Sequence, residues 1–153
     1  RARLEIGLVK DTIQSFLSAN PSPICFVGFD VCFYSSTKDA LSILDASPDR
    51  LIPRIPFYFR SILGKDVSDF AGERLAISEF NAEHKDRKIS PTYGLRWYVP
   101  RGQTLAVWPD SFLSLHVFDH PLYNEPQQLR LPTIIDVEGS EFFHAPRQWK
   151  GSL

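Results

Sequence analysis

The sequence predicts an α/β fold, a largely parallel sheet with helices on both faces, on three observations. Short apolar runs of strand length alternate with stretches of helical periodicity. One of those runs, at 24–29, is continuously apolar, the pattern of a strand covered on both faces. Proline and serine clusters fall between the runs, where turns are needed.

Each element follows from its local pattern. Residues 4–7 alternate as a strand end does, and 10–18 place Ile13, Phe16 and Leu17 at helical spacing. Asn20-Pro21-Ser22-Pro23 stops that helix ahead of the 24–29 strand. Ser36-Thr37-Lys38-Asp39 has the form of a capping box, with Ala40, Leu41 and Leu44 as the inward stripe of the helix it starts. The next strand is 55–59, entered through Pro53 and Pro56. A third helix is expected over 68–84, with Phe70, Ile77, Phe80 and His84 facing inward and Glu73, Glu79 and Glu83 on its polar face. Beyond it, 93–99 reads as a strand between Pro91 and Pro100, and 109–120 as a helix opened by Pro109 and closed by Pro121. After Pro126 the pattern weakens. A last strand is expected at 129–137, and 138–153 as an extended tail whose Phe142, Phe143 and Trp149 need a partner surface. The division is therefore an α/β unit over 1–126 followed by a tail over 127–153.

Composition narrows the function classes. Lys+Arg 17 against Asp+Glu 18 leaves a formal net charge of -1, so no global field favours nucleic acid or an anionic membrane. No apolar run reaches the roughly 18 residues of a spanning helix. Cys25 and Cys32 fall too close together for a framework disulfide and are expected as free thiols, so a cytoplasmic location is expected. The chain starts Arg1-Ala2-Arg3 and contains no methionine, from which a fragment of a longer protein is expected. In an open α/β sheet ligands bind beyond the carboxyl ends of the strands, which directs attention to 30–37 and 60–64.

Two segments there carry a resemblance: Ile6-Gly7-Leu8-Val9-Lys10-Asp11-Thr12-Ile13, and Phe29-Asp30-Val31-Cys32-Phe33-Tyr34-Ser35-Ser36-Thr37. They resemble the G-x-x-x-D-T-[LIV] and D-x-D-x-Y-x-S-T segments of the macrocin O-methyltransferase-like family of class I S-adenosylmethionine-dependent methyltransferases. Glu73-Arg74-Leu75-Ala76-Ile77 is similar to that family's following helix. The resemblance implies the C-terminal part of a Rossmann-like methyltransferase sheet, without its N-terminal cofactor-binding strands. The implied reaction is transfer of a methyl group from S-adenosylmethionine to the hydroxyl of a small molecule or sugar. It also implies Asp30 and Tyr34 as candidate catalytic positions, Gly7, Asp11 and Thr12 as cofactor-side positions, and Asp30 as ligand to a divalent cation such as Mg²⁺. A cation of that kind acidifies a hydroxyl that is otherwise a poor nucleophile. Arg60 is a further catalytic candidate from its own chemistry, since a guanidinium can grip a carboxylate or phosphate.

Two positions depart from the family pattern. Cys32 stands at the second acid, and Arg60-Ser61 stands where an Asp-Asp pair is expected. A guanidinium repels a cation and is suited to pair with Asp30 across neighbouring strand ends. The alternative reading is therefore a degenerate methyltransferase fold that serves as a binding or assembly module. A more distant one rests on His116-Val117-Phe118-Asp119-His120, where two imidazoles at i and i+4 of a helix would suit zinc in a hydrolase. The expected partners are a small-molecule substrate and either a second copy or a missing N-terminal half, with neither nucleic acid nor membrane.

Overall fold

The computed structural model describes residues 3–19, 22–63, 68–102 and 106–125. Helix α1, Val9–Ser18, is followed by strand β1, Val27–Phe29, and helix α2, Tyr34–Leu41. Two short 3-10 turns lead into strand β2, Arg54–Phe59, and then helix α3, Gly72–Glu83. Strand β3, Arg87–Pro91, comes next, and strand β4, Phe112–Val117, ends the described structure. The expected strand at 129–137, the tail and the boundary at 126 lie outside the described residues.

The four strands form one mixed sheet in the order β1-β2-β4-β3. β1 and β2 are parallel, with Val27 opposite Phe57 and Phe29 opposite Phe59. β4 runs antiparallel to both its neighbours, pairing Leu115 with Ile55 of β2 and with Ile89 of β3. β3 therefore points the same way as β2, and the β2–α3–β3 connection passes over the position that β4 fills.

Alternation in the sheet sets the core. Ile55, Phe57 and Phe59 of β2 and Leu113, Leu115 and Val117 of β4 are buried, while Arg54 and Pro56 are exposed and Tyr58, Phe112, Ser114 and His116 are half-buried. Ala40 and Leu41 of α2, Leu44 just after it, and Ala76, Ile77 and Phe80 of α3 complete the same cluster, and α1 packs on α2. The described helices thus share one face of the sheet, which corrects the expectation of helices on both faces. Even β1 buries one face only, because Cys25 and Phe26 are exposed and pairing starts at Val27.

Other expectations change for identifiable reasons. Residues 4–7 form no strand, and Leu4 and Ile6 are exposed. The capping box does not form: α2 begins two residues earlier, at Tyr34, and Thr37 is fully buried within it, its hydroxyl donating to the Phe33 carbonyl at 2.9 Å. α3 starts at Gly72, whose φ of 56° favours glycine, so Phe70 stays outside the helix and exposed.

The strand expected at 93–99 lies earlier, at Arg87–Pro91, and Leu95–Tyr98 is a 3-10 turn behind Gly94 at φ 89°. The polar look of Arg87–Pro91 hides a strand held by Asn81 of α3. The Asn81 amide donates to the Ile89 carbonyl at 2.8 Å and its oxygen accepts from the Ile89 N–H at 2.7 Å. The helix expected over 109–120 is likewise a strand. Pro109 opens only the 3-10 turn Trp108–Ser111, and the period-two alternation from Phe112 onward pairs on both sides.

Candidate functional site at the strand ends

Because β1 and β2 are parallel neighbours, the residues that leave their carboxyl ends emerge side by side. Asp30 follows Phe29 and Arg60 follows Phe59, and the Arg60 N–H donates to the Phe29 carbonyl at 3.0 Å, extending the register by one residue. Arg60 Nη1 donates to Asp30 Oδ2 at 3.0 Å and to Oδ1 at 3.2 Å. Both side chains are about two-thirds exposed, so screening keeps the pair weak. One position further on, Cys32 Sγ and Ser61 Oγ share a hydrogen bond at 3.1 Å.

The pairing decides the fit for a divalent cation. Asp30 presents its carboxylate to a guanidinium, Cys32 to a hydroxyl, and among the described residues no group of three or more His, Cys, Asp and Glu side chains could hold a metal ion. Hard cations require several oxygen ligands, so these residues do not fit Mg²⁺.

Glu73, in the first turn of α3, is the acid that composition and motif reading assigned to a solvated face. It is only 4% exposed, and among the described residues neither carboxyl oxygen has a hydrogen-bond partner. Burial, reinforced by the negative charge of Asp30, pushes its carboxyl up to about 7. The signal for this was present in the sequence. Glu73, Ala76, Ile77 and Phe80 stand at i, i+3, i+4 and i+7, so Glu73 belongs to the stripe that packs inward.

Tyr34, the third candidate catalytic position, is taken up by the contact between α2 and α3. Its hydroxyl donates to Glu79 Oε2 at 2.6 Å, and Lys38 reaches the same carboxylate at 3.0 Å and Glu83 at 3.5 Å. The hydrogen bond to Glu79 raises the Tyr34 phenol and lowers the Glu79 carboxyl. These residues join the two helices.

Gly7, Asp11 and Thr12 gather at the start of α1 with local interactions. The Thr12 hydroxyl lies 3.1 Å from the Val9 carbonyl and 3.2 Å from that of Leu8. Asp11 is exposed in the first turn, where a negative side chain complements the helix dipole. A Cβ on Gly7 would lie 3.1 Å from the Thr12 methyl, so the glycine allows that close approach.

The two histidines of the zinc reading are separated by the correction to β4. His116 lies on the strand, with Nδ1 2.8 Å from the Tyr123 hydroxyl and Nε2 3.4 Å from Ser90 Oγ, and burial depresses its imidazole. His120 sits in the following turn, where its Nδ1 accepts from the Leu122 N–H at 3.0 Å. Asp119 pairs with Arg87 at 3.3 Å. No shared helical face remains for a zinc ion.

No helix among the described residues is long and apolar enough to cross a membrane. No family model matches the chain, and neither a curated protein nor a solved structure matches it.

Proposed function

We propose that this chain forms the C-terminal part of a class I S-adenosylmethionine-dependent O-methyltransferase domain, in the cytoplasm, acting on a hydroxyl of a small molecule or sugar. The observation that carries the reading is the order of the sheet. Three strands point one way, and the last strand is inserted antiparallel between the second and third of them. The order agrees with the close of a class I methyltransferase sheet, and the Asp30 to Thr37 segment directly follows β1, which supports the reading. In this reading further strands add at the outer edge of β1, supplied by an N-terminal half or a second copy. S-adenosylmethionine would supply the methyl group: its sulfur–methyl bond would break as the acceptor oxygen forms the new carbon–oxygen bond, S-adenosylhomocysteine would leave, and the acceptor's proton would pass to solvent water. Titrating S-adenosylmethionine into the full-length protein by calorimetry tests the reading. Saturable heat is expected, and no heat at millimolar ligand sinks it.

A second reading, a methyltransferase fold kept as a binding or assembly module, is favoured by the Arg60–Asp30 pair in the expected cation position. If replacement of the acid pair accounts for a missing cation site, Arg60→Asp combined with Ser61→Asp gives Mg²⁺ affinity above that of the parent. Unchanged calorimetric traces for the double variant would rule out that explanation.

A further inference from the structure

Glu73 is the unbalanced charge of the strand-end site. Burying a carboxyl group without a hydrogen-bond donor is destabilising, more so when it is ionised. Among the described residues, Arg60 is paired with Asp30, and Arg74, next to Glu73 in the chain, with Asp69 at 2.6 Å. On the β1 side the neighbours are Asp30, itself an acid, and Cys32, whose thiol shares a hydrogen bond with Ser61. The backbone brings the site together, since the Cys32 carbonyl lies 3.7 Å from where a Cβ on Gly72 would stand. Among the described residues, what is missing at Glu73 is a group that both donates hydrogen bonds and carries positive charge.

We propose that Glu73 anchors an organic ammonium group, the amine of a small aminated ligand such as an amino sugar. Two features select an ammonium over other occupants. A neutral hydroxyl donates a hydrogen bond but leaves the repulsion from Asp30 in place, whereas a cation relieves it. A divalent metal ion requires more ligands than the site holds, because Asp30 is occupied by Arg60 and no third acid joins them among the described residues. The Asp30–Arg60 pair is exposed and weak, so it can rearrange at little cost when a ligand binds. The proposal rests on the strand ends being the ligand side of the sheet, as in the function proposed above, and not on methyl transfer itself.

The test follows the carboxyl carbon of Glu73 by NMR in protein labelled with ¹³C-carboxyl glutamate, without S-adenosylmethionine. D-glucosamine is expected to move that resonance saturably toward the ionised position and to bind about tenfold more tightly than D-glucose. Glu73→Gln is expected to abolish the discrimination. An equal response to both sugars, displacement of glucosamine by Mg²⁺ at the same carboxyl, or no response of the resonance overturns the proposal. If Glu73→Gln does not fold, the parent decides alone. Glucosamine lowers the titration midpoint of Glu73 if the proposal holds and leaves it unchanged if it does not. Failure here leaves S-adenosylmethionine binding untouched, and absence of cofactor binding leaves this experiment intact.

Discussion

Glu73 carries a penalty that depends on pH, and its sign follows from the direction of the shift. Its carboxyl titrates near 4.5 when free and is pushed up to about 7 in the fold. A raised value means that the proton stabilises the folded state. That stability is fully present below 4.5 and is lost as pH rises through about 7. Glu73→Gln removes the ionisation, so the variant should gain on the parent by about 2 kcal/mol between those limits, after discounting for partial solvent screening. Denaturant unfolding of both proteins at several pH values checks this, and a constant difference across the range would contradict it. Asp30 and Arg60 were legible from the sequence, since both follow apolar runs and such strand ends lie where open sheets bind ligands. Glu73 was not, because a charged residue in a helix is assumed to face water unless its phase along the inward stripe is counted.

At the level of elements, β4 organises the sheet. It pairs with β2 on one side and β3 on the other, and Leu115 is fully buried between Ile55 and Ile89. Leu115→Ala should cost about 2–5 kcal/mol by leaving a cavity. Ser114→Ala, on the opposite face, should cost about 1 kcal/mol for its hydrogen bond to Thr92. Chemical denaturation of the two variants distinguishes them, and similar costs would contradict the alternation. The sequence revealed α1, β2 and α3 because their apolar residues keep a clear period, and β1 because its run is continuously apolar. β4 was read as a helix because Pro109 and Pro121 bracket a segment of helical length, and because six residues are too few to separate the two periods by eye. β3 was missed for another reason. Its Arg87, Lys88 and Ser90 carry little hydrophobic signal, and its place is fixed by the distant side chain of Asn81.

At the scale of the whole molecule, the described residues give the sheet one well-covered face and one sparsely covered face. α2 and α3 cover the buried face, with Phe29 stacked on Phe59 at 4.4 Å at the end of the parallel pair. On the other face Arg54 lies 4.2 Å over the Tyr123 ring and Tyr58 packs beside Phe112 at 5.3 Å, while Asn81 caps the edge at β3. A parallel pair that opens an α/β unit and a reversed strand inserted near its end place Asp30, Arg60 and Glu73 on one side of the sheet. If that side is where a methyltransferase holds its cofactor and acceptor, ligand effects must concentrate there. The most direct measurement is a titration of S-adenosylmethionine into uniformly ¹⁵N-labelled full-length protein. The account predicts saturable amide shifts clustered at Phe29, Asp30, Cys32, Arg60 and Ser61. Shifts confined to Arg87 and the opposite ends of the strands, or no shifts at all, would contradict it.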